Sequence, residues 1–385
     1  MTCSGPSTQH AMLTRPHVEV QDILAHSFDS YRHSNPLDKD QYKAANAILR
    51  CRTAVLGGHK DSCSCGFSRI SYNSCRNRSC PKCGSLKKEA WIEGRLCSIL
   101  DVRHFHAVFT VPSAFNALAL ANKDMFYNLL FKVSTETVKA LAADKKHLGA
   151  LVGMTAVLHT WGKNLAFHPH IHMIVTGGGY SAMGWREGGK KFFLPVRALS
   201  RKFRGLFVSL LRKAYKMGGI AFGKDEFDAL LDTVMGQEWV VYCKKPFKGS
   251  EGVYRYLGSY THRTAITNSR LVEVTAERTT FTYKDYKDKG RQKLMVLENE
   301  EFIRRFLLHV PPCGFTRIRH YGIYASANKK TKLARCMAMT RTKKRVHKKE
   351  TMEETVLRLC KVNLSVCPEC GGRLSSSILQ PGIPP

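Results

Sequence analysis

Two histidines stand two residues apart in Phe167-His168-Pro169-His170-Ile171-His172-Met173-Ile174-Val175-Thr176, and a glycine run, Gly177-Gly178-Gly179, ends the stretch. Apolar Ile171, Met173 and Val175 alternate with His170, His172 and Ile174, the pattern of a β-strand. Side chains two apart on a strand share a face, so His170 and His172 present their imidazoles side by side. Neutral imidazoles on one rigid face make half of a metal site. Met154 to Trp161 also reads as a strand, and the link from Gly162 to Pro169 is short enough for an antiparallel hairpin. Folding near residue 165 sets His159 against residues 170–172 and completes a three-His cluster with open positions. A second His-x-His, His104-Phe105-His106, leads into the apolar run Ala107–Pro112; no third partner is evident for it, and it reads as structural.

A three-His site with open positions suits a divalent ion, Mg or Mn, acting as a Lewis acid on a phosphate oxygen. The stretch Val253-Tyr254-Arg255-Tyr256-Leu257-Gly258-Ser259-Tyr260 supplies a matching nucleophile. On a helix Tyr256 and Tyr260 lie one turn apart on one face, whereas Tyr254 points elsewhere. A phenol is a poor nucleophile at neutral pH, its pKa being near 10. Against a metal-polarised phosphodiester it becomes useful, because the phosphotyrosine conserves the bond energy.

The body carrying these groups is strongly basic. Lys and Arg number 61 against 30 Asp and Glu, a formal charge of +31 over 385 residues. Such an excess points to nucleic acid ahead of an acidic small molecule. No stretch of about 18 apolar residues suggests a membrane span, and residues 1–20 lack a signal-peptide core. The expected setting is the bacterial cytoplasm, near the nucleoid, where the 14 cysteines are thiols or metal ligands, not disulfides. Five of them crowd residues 63–83. Cys80-x2-Cys83-Gly84 has the form of a zinc knuckle, and Cys63-x-Cys65 is one residue shorter than the usual pair. The expected structural zinc set is Cys63, Cys65, Cys80 and Cys83, with Cys75 as substitute. Arg76, Arg78 and Lys82 around it are expected to touch DNA phosphates, as are Arg317 and Arg319 and, in a basic run over residues 329–349, Lys329 and Lys330. Cys367-x2-Cys370 near the end is half a zinc site, for which Cys360 or Cys336 are the candidate partners.

The elements that must position these groups follow from periodicity. Helices are expected over 18–32, from Pro36 to about Arg52, and over 86–100, 116–141, 196–217 and 298–309. Strands are expected over 105–111, 154–161, 167–176 and 238–243, and a β-hairpin over 275–297. This order predicts an α+β fold, an antiparallel sheet with helices on one face. The expected divisions are an N-terminal tail and helices (1–55), a zinc-binding, DNA-contacting domain (56–95), a nuclease and strand-transferase domain (96–290) and a basic C-terminal DNA-binding region (291–385).

Ordered motifs across roughly residues 40–340 carry a family resemblance. They are Cys51-Arg52-Thr53-Ala54-Val55-Leu56-Gly57-Gly58-His59, Tyr72-Asn73-Ser74-Cys75-Arg76-Asn77-Arg78 with Cys80-Pro81-Lys82-Cys83, Leu158-His159-Thr160-Trp161-Gly162, His168-Pro169-His170-Ile171-His172, Trp239-Val240-Val241-Tyr242-Cys243-Lys244, and Tyr256-Leu257-Gly258-Ser259-Tyr260-Thr261-His262-Arg263. The chain thus resembles the rolling-circle insertion-sequence transposases of bacteria, HUH endonucleases with a two-tyrosine active site and an N-terminal zinc-binding domain. The resemblance implies an HUH-type sheet, His170 and His172 as metal ligands, Tyr256 and Tyr260 as nucleophiles, and single-stranded DNA and transposon ends as partners. Several relaxases of that superfamily take a third His from the adjacent strand, an analogy for His159. Two departures stand out: Cys63-x-Cys65 where the family has Cys-x2-Cys, and Ser79 where it has His.

Other readings compete. A replication initiator or relaxase of the same superfamily shares the chemistry. A zinc-stabilised DNA-binding regulator would leave the His face and both tyrosines idle. His168-x-His170-x-His172 also fits the histidine-triad nucleotide hydrolases, a family with no use for the net charge, the cysteine block or the tyrosine pair.

Overall fold

The computed structural model describes residues 18–189, 194–244, 264–285, 288–343, 345–346 and 350–382, together with Gly252 and Gly258. The chain opens with helices α1 (Val20–Ser34) and α2 (Lys39–Leu49). The second starts beyond Pro36 because Asp38 caps it: its carboxylate accepts the Gln41 N–H at 2.8 Å while Gln41 Oε1 accepts the Asp38 N–H at 3.0 Å, a capping box. A short hairpin, β1 (Gly58–Ser62) and β2 (Ser68–Tyr72), precedes α3 (Gly84–Leu96) and β3 (His104–Thr110).

The single helix expected over 116–141 is two, α4 (Asn116–Ala121) and α5 (Lys123–Ala143). Asn122 breaks it, with φ −132° and ψ 45°. Its side chain donates to the Leu118 carbonyl and accepts the Ala221 N–H, a local alternative to helical bonding typical of Asn. Strands β4 (Gly153–Trp161) and β5 (Phe167–Thr176) then form the expected hairpin, followed by a small hairpin, β6 (Gly178–Ser181) with β7 (Gly184–Glu187), that periodicity did not suggest. Helices α6 (Val196–Lys216) and α7 (Lys224–Met235) lead to β8 (Val241–Lys244). Strands β9 (Leu271–Val274), β10 (Arg278–Asp285) and β11 (Arg291–Glu298) make a separate sheet, and α8 (Asn299–Leu308), β12 (Ile318–Gly322), α9 (Ala334–Met339), α10 (Met352–Cys360) and β13 (Ser375–Leu379) complete the described elements.

The main sheet runs β12-β4-β5-β3-β8, antiparallel throughout. One face is apolar. Ala107, Phe109, Met154, Ala156, Leu158, Ile171, Met173 and Val175 are buried there against Phe126, Leu130, Phe203, Phe207 and Leu211 of α5 and α6. Burying a Phe or Leu side chain contributes about 1.5–3 kcal/mol, so this layer fixes which way each strand faces. A one-residue slip would turn every histidine into it. On the opposite face α3 covers Val157 and Ile174 with Ile92 and Leu96. A second core joins α1 and α2 to α8 and the β9–β11 sheet through Ile23, Phe28, Ile48, Phe281, Phe302 and Phe306. The architecture is the expected α+β fold: a helical, cysteine-rich N-terminal region followed by antiparallel sheets with helices, as in HUH-type proteins. No helix among the described residues is long and apolar enough to cross a membrane.

Candidate metal centre

On the face of the sheet that α3 partly covers, β4 and β5 bring His159 directly opposite His170 in register. The ligand nitrogens of His159, His170 and His172 all lie within 4.8 Å of one another, and all three residues are buried. The ladder shifts between His159 and Trp161. Pro169 falls in this irregularity, where its missing N–H leaves no ladder bond unmade. Bulges of this kind re-aim side chains beside functional sites. Trp161 stacks on His159, with ring centroids 4.7 Å apart.

The hydrogen bonds prepare two of the imidazoles to act as ligands. His170 Nδ1–H donates to the His168 carbonyl at 2.6 Å, which leaves a lone pair on Nε2. His170 Nε2 and His172 Nε2 are 3.1 Å apart. Two nitrogens at that separation, each about 2.1 Å from a shared ion, subtend about 95° at it, suitable for adjacent positions of one coordination sphere. Burial pushes His170 down to about 4, and burial with the adjoining imidazoles holds His172 well below its ordinary value. Both are therefore neutral near pH 7, the form that coordinates metal. The donor set fits a divalent ion with open positions for further ligands.

The second His-x-His is on the same face. His106 Nε2 lies 2.9 Å from His172 Nδ1. Local sequence offers His106 no partner; the β3–β5 register, which sets Val108 opposite His172, supplies one. His104, by contrast, is held by the Val102 carbonyl and the Tyr324 hydroxyl, each at 2.8 Å, a buried structural role.

The cysteines group differently from the expected set. Cys80 and Cys83 meet Cys51 and Cys75, and Cys63 and Cys65 meet Cys367 and Cys370. Spacing within one block of sequence carries no information about ligands that arrive from elsewhere in the chain. Cys51, at the end of α2, and the C-terminal pair arrive through the fold. In the first cluster the Sγ–Sγ separations are 3.5 Å (Cys51–Cys83), 3.6 Å (Cys51–Cys80) and 3.7 Å (Cys75–Cys83). The edge of a zinc tetrathiolate, with Zn–S near 2.3 Å, is about 3.8 Å. Hydrogen bonding from Cys75 and Cys80 lowers Cys51 to about 7.

Arg78 donates to the carbonyls of Phe315, Pro311 and Pro312. Arg319 donates to the Thr316 carbonyl and to Asn128 and sits 4.3 Å over the Phe131 ring. Lys82 pairs with Glu19 at 2.7 Å, and burial together with the Arg78 charge pushes Arg317 down to about 10. These four are engaged with protein. Arg76, Lys329 and Lys330 are exposed. Lys329 and Arg95 line a polar cavity of about 110 Å³ with Thr155 and His320, on the His face of the sheet. Tyr254, Tyr256 and Tyr260 lie outside the described residues, as do residues 344 and 347–349 of the basic run.

Known proteins agree with this anatomy. A family described as transposase zinc-binding domain matches residues 23–111, and one described as putative transposase matches residues 153–332. The putative transposase y4qJ of Sinorhizobium fredii is 46% identical over 336 residues, covering 84% of each chain. The transposase for insertion sequence element IS801 of Pseudomonas savastanoi pv. phaseolicola is 29% identical over 299 residues, covering 74% of this chain and 70% of the relative. No solved structure matches. With its zinc-binding module, its three-His cluster and a close relative aligned along most of its length, the chain belongs to the rolling-circle insertion-sequence transposases of the IS91/IS801 type.

Proposed function

We propose that this transposase cleaves and rejoins single-stranded DNA at insertion-sequence ends through 5′-phosphotyrosine intermediates, with Tyr256 and Tyr260 as nucleophiles and His159, His170 and His172 as the metal face. The observation that carries the reading is the convergence of His170 Nε2 and His172 Nε2 at 3.1 Å on a buried face in a chain of this family. A divalent ion held there supplies Lewis-acid polarisation of a phosphate oxygen. The tyrosine phenol attacks the phosphorus, a Tyr–O–P bond forms, and the strand leaves with a free 3′ hydroxyl. Attack of a 3′ hydroxyl on the phosphotyrosine reverses the exchange and reseals DNA without a nucleotide cofactor. Gly258, between the two tyrosines in sequence, supports the reading. It is helical and lies against Ile92, whose α3 covers the His face of the sheet.

The first cysteine cluster is assigned a structural zinc, because its thiol spacing matches a tetrathiolate. Arg76, Lys329 and Lys330 are assigned to phosphate contacts, which confer affinity without reading sequence. The test is mass spectrometry of a covalent adduct formed with a single-stranded oligonucleotide carrying an insertion-sequence end, in Mg or Mn. An adduct on a peptide containing Tyr256 or Tyr260, lost in His170→Ala/His172→Ala while DNA retention persists, is the expected result. Metal-independent cleavage with no adduct would overturn the reading.

A further inference from the structure

We propose that Cys63, Cys65, Cys367 and Cys370 bind a second zinc ion, which staples the C-terminal end of the chain onto the β1–β2 hairpin. The four thiols come from segments some three hundred residues apart in sequence and meet within 4.8 Å of one another. Cys63 and Cys370 Sγ are 3.5 Å apart, and Cys65 and Cys367 Sγ 3.7 Å. Disulfides would need about 2.05 Å, whereas a tetrahedral zinc tetrathiolate has edges of about 3.8 Å.

Both arms have turn geometry that aims two thiolates at one point. Cys63-Ser64-Cys65 is closed by the Gly66 N–H on the Cys63 carbonyl at 3.1 Å, with Gly66 at φ 94°. Cys367 to Gly372 is closed by the Cys367 N–H on the Gly372 carbonyl at 2.7 Å and the Gly371 N–H on the Cys367 carbonyl at 3.0 Å, with Gly371 at φ 74°. The Gly372 N–H reaches Cys370 Sγ at 3.4 Å, a donor that stabilises a ligating thiolate. Four soft sulfur donors gathered at one point select zinc over the hard divalent ion suited to the histidines.

The segment also brings almost no apolar core of its own. Among the described residues of 351–382, Cys367 alone is buried, at 1% exposure. Strand β13 pairs with β1 from Ser375 opposite Ser62 to Leu379 opposite Gly58, yet Ile378 is 83% exposed, so no apolar face offsets the entropy of ordering it. Arg69, held by Asp61, donates to the Leu364 carbonyl at 2.9 Å, the Gly382 N–H donates to the Ala54 carbonyl at 3.0 Å and Arg358 pairs with Glu93, polar ties that bury little apolar surface. A metal contributes its binding free energy directly to the order of such a segment. The staple also explains the short Cys63-x-Cys65 arm: it belongs to a different ion from Cys80 and Cys83.

The test uses the full-length protein and needs no DNA. Zinc is measured per chain by elemental analysis, and accessible thiols are mapped by native alkylation and mass spectrometry, with exposed Cys360 and Cys313 as internal standards. The expected result is two zinc ions per wild-type chain, falling to one in Cys367→Ser/Cys370→Ser. In that variant Cys63 and Cys65 become alkylated while Cys51, Cys75, Cys80 and Cys83 stay protected. Should the variant fail to fold, the wild type decides alone. One zinc per wild-type chain, with Cys63, Cys65, Cys367 and Cys370 alkylated as fast as Cys360, would overturn the proposal whatever the protein does to DNA.

Discussion

His106 Nε2 and His172 Nδ1 are 2.9 Å apart in nearly parallel rings, with 4° between their planes. For His172 to offer Nε2 to an ion its proton must sit on Nδ1, so His172 Nδ1–H donates and His106 Nε2 accepts. His106 thus fixes the tautomer and ring angle of a proposed ligand. Partners of this kind are typically worth 10- to 100-fold in metal affinity. His106→Leu is expected to weaken Mn binding at the His site by about that factor with DNA retention unchanged. His106→Gln, whose amide oxygen can replace the acceptor, should recover most of it. Equal Mn affinity in His106→Leu and wild type would remove His106 from the site.

Gly258 gives a steric prediction. A Cβ there would lie 2.3 Å from Ile92 Cδ1 and 2.4 Å from Ile92 Cγ1, and Ile92 is itself buried at 2% exposure. Gly258→Ala gains helix propensity of about 1 kcal/mol, but the overlap costs about 1–3 kcal/mol, so lost packing dominates. Gly258→Ala is expected to lower thermal stability and cleavage together. Adding Ile92→Ala should restore part of both, because it removes the two clashing atoms. Additive losses in the double variant would show that the contact is not what constrains position 258.

Acid stability follows from buried histidines that are not among the proposed metal ligands. Burial pushes His104 and His309 down to about 4 each, while an unfolded His titrates near 6.5. Between those values the unfolded chain binds more protons, so stability falls as pH drops from about 6.5 to about 4 and is flat above, at up to roughly 1.4 kcal/mol per pH unit for each His. His104→Gln is expected to be less stable at pH 7, through its bonds to Val102 and Tyr324, yet to lose less on acidification. Urea midpoints from pH 7.5 to 4.5 measure this. Parallel curves for variant and wild type would show that His104 titrates normally in the folded protein.

The parts of the site that sequence made legible are those that local periodicity controls. Alternation alone faced His170 and His172 the same way, and a short link was enough to bring His159 opposite His170. Partners supplied by non-adjacent strands or distant segments carried no local signal. His106 reaches His172 only because β3 pairs with β5 rather than with its sequence neighbour. Cys51 stood within a recognised motif but outside the counted cysteine block, and Cys367 meets Cys65 across the length of the chain. Charge was legible as a sum and not as a map: Arg78 and Arg319 look like any surface arginine in sequence, yet their donors point into the protein. Strand β13, with three serines and an exposed isoleucine, has no hydrophobic pattern to read.

The last prediction concerns the two tyrosines. Residues four apart on a helix are about 6 Å apart along its axis and on one side of it, so a helix carrying Tyr256 and Tyr260 would let both hydroxyls reach one phosphate with small rotations. Two nucleophiles solve a definite problem: the first to cleave is occupied by its DNA end, and the second can cut the other end or the target before the first is released. Tyr254, two residues from Tyr256, faces elsewhere on such a helix and should be dispensable. The experiment is Tyr→Phe at positions 254, 256 and 260, read as oligonucleotide cleavage in vitro and as transposition in cells. Tyr254→Phe is expected to retain both activities. Tyr256→Phe and Tyr260→Phe should each keep some single-site cleavage and lose complete transposition, and the double variant should form no covalent adduct while still binding DNA. Full transposition by either single variant would show that one tyrosine suffices, and the paired-nucleophile mechanism would have to be abandoned.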